Sequence, residues 1–159
     1  MLGYAVLTQL TLKPFFIMLK IPGSSALSDF RVNNLLTALQ TIEPSITAIT
    51  ARFMHFVAIE QDLNEQQQTI LQQLLAYGDE IIATPAQGET LLVVPRSGTI
   101  SPWSSKATEI AQRCGLASIK RLERGIEYTL TASSELSDES KHQLASRLHD
   151  RMTQTVIYD

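Results

Sequence analysis

The chain has 159 residues, 44% hydrophobic and 18% charged, with a formal net charge of −3. That length suits one globular domain with a real core, and the composition is ordinary for a soluble protein. The charge balance, with no Lys/Arg cluster or aromatic platform, argues against nucleic-acid binding, and a single cysteine excludes a disulfide framework or a thiolate zinc cage and suits a reducing cytoplasm.

In chain order, the first stretch, "MLGYAVLTQLTLKPFFIM", is apolar but broken by Lys13 and Pro14. It lacks a basic n-region and a small-residue cleavage site, so it does not read as a signal peptide, and its apolar run is too short to span a membrane. Residues 1–17 read as an extension outside the fold, with Met18 as an alternative start.

From Met18 the chain repeats itself. "MLKIP" (18–22) matches "LLVVP" (91–95) at an offset of 73, and "SITAITARFMHFVAI" (45–59) lies over "SIKRLERGIEYTLTA" (118–132) at the same offset. Phe53, His55, Val57 and Ile59 fall on Ile126, Tyr128, Leu130 and Ala132, an alternation that marks one face of a strand. Leu63, Leu71 and Leu75 fall on Leu136, Leu144 and Leu148, a helical stripe. Asn64 and Ser137 are N-cap residues, and Gln67 completes a capping box with Asn64. Between these elements Val32, Leu35, Leu36 and Leu39 match Ala107, Ile110, Ala111 and Cys114 at an offset of 75, which implies about two extra residues between Pro95 and Ala107 in the second repeat.

Each half, 18–87 and 88–152, therefore reads strand, helix, long or bent strand or hairpin, helix. A half of that size buries a sheet face only by joining the other half. The expected fold is α+β: duplicated β-α-β(β)-α units sharing one antiparallel sheet, helices on one side, with residues 153–159 starting a linker.

Candidate sites are few. Cys114, placed on the helical stripe ahead of a Gly115 C-cap, reads as a buried, unreactive thiol. His142 and His149 are seven apart and make a weak metal pair; His55 lies on a strand. Asp138 and Glu139 suit the start of the last helix. Arg121 and Arg124 sit around an expected bend, where solvated charge or carboxylate recognition are both open. The segment "PRSGTISPWSSK" lacks nucleotide P-loop spacing. Ser101 can cap a helix with Pro102 at N1 and Ser104 at N3, and Trp103 can begin its buried stripe. Arg96, Thr99, Ser105 and Lys106 exceed what a cap requires; such a helix terminus can hold an anion or dock a partner loop.

The segments "VVPRSGTISPWSSKATEIAQRCGL", "RLERGIEYTL" and "LHDRM", with "MLKIPGSSALSDFRVNNLL" before them, resemble the N-terminal domain of the large, single-chain bacterial phosphoribosylformylglycinamidine synthases. The likeness runs from Met18 to about Met152. It implies a cytoplasmic ligase of purine biosynthesis that converts formylglycinamide ribonucleotide with ATP and glutamine. It implies catalytic domains elsewhere: a synthetase domain holding ATP and magnesium, and a glutaminase domain with a Cys-His-Glu triad, to which Cys114 does not correspond. Neither cofactor is expected on these residues, and neither nucleic acid nor membrane is an expected partner. It further implies an N-terminal domain like a dimer of the small subunit of multi-chain enzymes, with the loop Arg96 to Lys106 facing the catalytic domains near the substrate phosphate. The alternative from a different class is a free-standing ferredoxin-like adaptor or small-ligand-binding module.

Overall fold

The computed structural model describes residues 16–158. The expected extension, residues 1–17, lies outside the described residues except for Phe16 and Ile17, and Ile17 opens β1. The elements run β1 (Ile17–Ser25), α1 (Asp29–Ile42), β2 (Ile46–Ile59), α2 (Glu65–Leu75), β3 (Glu89–Pro95), α3 (Pro102–Arg113), β4 (Ile119–Ala132), α4 (Asp138–Leu148) and β5 (Gln154–Tyr158). The strands form one five-stranded antiparallel sheet in the order β1-β2-β4-β3-β5. The fold is α+β, as the repeat requires.

The local signals account for the helices. Ser28, Asn64, Ser101 and Ser137 are the N-caps of α1 to α4. Asn64 and Gln67 form the reciprocal capping box, with Gln67 N donating to Asn64 Oδ1 at 2.8 Å and Asn64 N to Gln67 Oε1 at 3.0 Å. Helix α3 ends in a Schellman turn: Gly115, at φ 90°, donates to Gln112 O, and Leu116 donates to Ala111 O.

Three expectations are corrected here. The caps Ser28 and Ser101 keep the 73-residue spacing, as do Asn64 and Ser137, so no residues are inserted before α3. The inward stripe of α3 is Ser104, Ala107, Thr108 and Ala111, while Ile110 is 42% exposed and Cys114 is exposed. The 75-residue match read the stripe about one turn too late, because a helix repeats its face every three to four residues. Residues 153–159 do not simply begin a linker: Gln154–Tyr158 pair antiparallel with β3, Val156 opposite Val93.

The chain divides into two compact units that cut across the repeats. Unit 1 comprises residues 16–24, Met54–Ile81 and Ile100–Arg124; unit 2 comprises Ser25–Phe53, Ile82–Thr99 and residues 125–158. Each unit takes one helix from each repeat and one end of each long strand.

In unit 1, helices α2 and α3 bury Leu71, Leu75 and Ala111 against Val57, Ile59, Ile119 and Leu122. The first half of β4 lies beyond the reach of β3, whose partners on β4 run from Ile126 to Leu130. Helix α3 covers that edge. Ser104 donates its hydroxyl to Leu122 O, Leu122 N donates to Thr108 Oγ1 at 2.9 Å, and Gln112 Nε2 donates to Ile119 O at 3.0 Å. An otherwise open strand edge is thereby satisfied by side chains.

In unit 2, helices α1 and α4 bury Leu39, Leu144, Ala145 and Leu148 against Ile49, Ala51, Tyr128 and Leu130. Gln40 Nε2 donates to Ile46 O at 2.9 Å; Ile46 is the equivalent of Ile119 under the 73-residue spacing, although the two glutamines are 72 residues apart. At Gly125 a Cβ would lie 2.6 Å from Val93 O, so only glycine lets β3 and β4 approach. The expected bend around Arg121 and Arg124 is absent: β4 runs unbroken from Ile119 to Ala132, and the glycine serves close packing. On the sheet positions facing away from the helices, Arg52 Nε pairs with Glu127 Oε1 at 2.8 Å, both residues buried, and Arg52 Nη1 donates to Ile82 O.

Candidate docking loop and groove

The segment from Pro95 to Lys106 divides between the units. In unit 2, Arg96 is exposed, its Nη1 donating to Arg151 O at 3.3 Å, and its backbone closes a turn through Thr99 N to Arg96 O at 3.0 Å. In unit 1, residues 101–106 open α3.

Ser101 caps the helix by accepting from Ser104 N at 3.0 Å, and donates its own hydroxyl to Glu123 Oε1 at 2.8 Å. Glu123 also takes Arg121 Nη2 at 2.9 Å and Arg124 N at 3.0 Å. The α3 terminus thus has a carboxylate of its own chain beside its cap, where the dipole favours negative charge. That explains the opening of α3 without an external anion. Ser104 is fully buried against β4, and Pro102 takes the first helical turn. Ser105 and Lys106 are exposed.

Trp103 is half-buried and completes an aromatic cluster. Its ring centroid lies 5.8 Å from that of His55 and 6.3 Å from that of Tyr77, and the Arg124 guanidinium stands 4.7 Å above it. His55 has no exposed surface. Its Nδ1 lies 3.2 Å from Ile21 O and its Nε2 2.7 Å from Tyr77 Oη. A carbonyl only accepts, so Nδ1 carries the proton and Nε2 accepts from the tyrosine. Tyr77 Oη in turn accepts from Arg124 Nη1 at 3.1 Å. The network runs one way: Arg124 to Tyr77 to His55 to Ile21. Burial lowers the His55 pKa to about 4, aided by the Arg124 charge and opposed by the bond to Ile21. The imidazole is neutral at pH 7, which the tautomer assignment requires.

Above this network α2 and α3 leave a cavity of about 210 Å³, lined by Leu74, Tyr77, Trp103, Lys106 and Ile110 among others. It is apolar with one cation at its rim. Sequence reading singled out Trp103 and Lys106 but missed Tyr77, Glu123 and the connection to His55. The offset that aligned His55 with Tyr128 signalled a strand face, and nothing local to either residue signalled its partners.

Arg121 is held by Glu123. His142 Nδ1 donates to Asp138 O within α4, and its ring sits 5.0 Å from Tyr158; His149 is the C-cap of α4. Among the described residues no group of three or more His, Cys, Asp or Glu is placed to hold a metal, and no helix is long and apolar enough to cross a membrane.

The described residues thus form a duplicated α+β domain with a capped α3 helix and an apolar groove beside it. Residues 52–159 match the family model described as formylglycinamide ribonucleotide amidotransferase N-terminal, and the chain belongs to that family. The matched span contains the capped loop and α2 to β5.

Proposed function

We propose that the chain serves as the docking and coupling domain of a formylglycinamide ribonucleotide amidotransferase, a cytoplasmic ATP- and glutamine-dependent ligase of purine synthesis. In this reading its partners are the synthetase and glutaminase domains of that enzyme, and ATP and magnesium belong to the synthetase. The observation that carries it is the opening of α3. Its backbone and buried serine are satisfied internally by Ser101, Glu123 and Leu122, while Trp103, Lys106 and Ile110 remain at the surface of a groove. A rigid, half-buried aromatic ringed by apolar side chains and a cation is the composition of an interface anchor.

The test uses the catalytic domains supplied as a separate chain. Arg96→Ala with Lys106→Ala leaves folding intact, since both side chains are exposed, and weakens assembly by roughly tenfold with a matching loss of turnover at sub-saturating domain. Assembly and turnover both equal to wild type would reject the coupling role and leave the loop as a helix cap.

A further inference from the structure

Unit 2 holds a second groove, between α1 and α4, that the docking role does not use. It is a cavity of about 370 Å³ to which α1 contributes Arg31 and Asn34, β4 contributes Tyr128 and α4 contributes Arg147, with Leu27 and Leu148 among its apolar walls. Neither arginine forms an ion pair among the described residues, and no carboxylate lines the cavity. Tyr128 is only 6% exposed. Its hydroxyl finds no hydrogen-bond partner within the described chain, yet it is not sealed in protein, because the residue borders the cavity. A phenol donor with no partner in the described chain, at the wall of an open groove, is available to a ligand that enters it.

We propose that this groove binds a phosphomonoester, its phosphate held between Arg31 and Arg147 and bonded by the Tyr128 hydroxyl, with Asn34 as a further donor. The charge arithmetic favours phosphate over carboxylate. A phosphomonoester carries about −1.5 to −2 near neutral pH, which matches two guanidiniums, whereas a carboxylate needs one. The apolar walls suit the organic part of the ligand, and the volume falls in the range of small-molecule sites. The chemistry of the phenol agrees. Burial raises its pKa and the Arg31 charge only partly opposes this, so it stays a protonated donor.

The site can be tested on the 159-residue chain with methyl phosphate as the probe, followed by amide chemical shifts at constant ionic strength. The expected result is saturable perturbation at the start of α1, around Tyr128 and at the end of α4. Arg31→Gln with Arg147→Gln should weaken it at least about tenfold, and Tyr128→Phe about threefold, as expected for losing charged and neutral hydrogen bonds respectively. Arg113→Gln, an exposed arginine on α3, should leave it unchanged. Perturbation that survives the double substitution, or that chloride reproduces, would overturn the site. Acetate binding as tightly as methyl phosphate would overturn the ligand class.

Discussion

The groove of unit 1 and the groove of unit 2 are built from matching parts. Each lies between one helix of either repeat, and Leu74 and Leu75 in one stand where Arg147 and Leu148 stand in the other. His55 and Tyr128 occupy the same place on β2 and β4 under the 73-residue spacing. Yet the first groove is closed from below by aromatic rings and a one-way hydrogen-bond chain, and the second is open, cationic and holds a phenol with no partner. Duplication supplies the same scaffold twice. What differs is whether the chain satisfies the buried polar group itself, and that decides whether the groove is a rigid support or a receptive site.

The largest expected contrast is in pH dependence. His55 in the folded state has a pKa of about 4 against 6.5 when unperturbed. The unfolded chain therefore binds the proton first, and stability falls as pH drops from about 6.5 toward 4, by on the order of 3 kcal/mol in all. Urea midpoints at stepped pH should show this fall in wild type and lose most of it in His55→Gln. Carboxylates titrate near the lower end in both proteins, so the difference between the two curves is the informative quantity. Parallel curves would mean that the histidine is not buried neutral.

A smaller contrast separates the residues facing each groove from the start of α3 and α1. Trp103→Ala removes a half-buried ring that packs on His55, Tyr77 and Arg124, and should cost about 2 kcal/mol, below the range for a fully buried tryptophan. Arg31→Ala, in the open groove, should change stability by less than about 0.5 kcal/mol. Equal losses measured by denaturant unfolding would erase the distinction between support and site.

The smallest contrast compares two hydroxyls. Tyr77→Phe deprives His55 Nε2 of its donor and Arg124 of an acceptor, and should cost about 1 kcal/mol. Tyr128→Phe removes a hydroxyl with no partner in the chain and should be neutral within about 0.5 kcal/mol. A clear loss in Tyr128→Phe in phosphate-free buffer would show that the hydroxyl is satisfied internally after all.

The sequence by itself determined the order of elements, the N-caps Asn64, Ser101 and Ser137, the helix stop at Gly115 and the six leucines that face the core from α2, α4 and the residues before them. These follow from short-range rules: a cap needs a side chain within three residues, and a strand or helix face declares itself by its own period. All six leucines are buried. The tertiary structure alone decided the rest. Ser104 is buried because Leu122, on a strand edge that β3 does not reach, offers its carbonyl, and the α3 cap is neutralised by Glu123. Cys114 is exposed because the buried stripe of α3 ends one turn earlier, at Ala111, and Cys114 is the C-cap. The fates of His55 and Tyr128 were set the same way, since one meets Tyr77, just beyond the end of α2, while the other borders the groove between α1 and α4. Contacts between residues so far apart in the chain leave no local pattern, because folding fixes them only after the helices have chosen which side to bury.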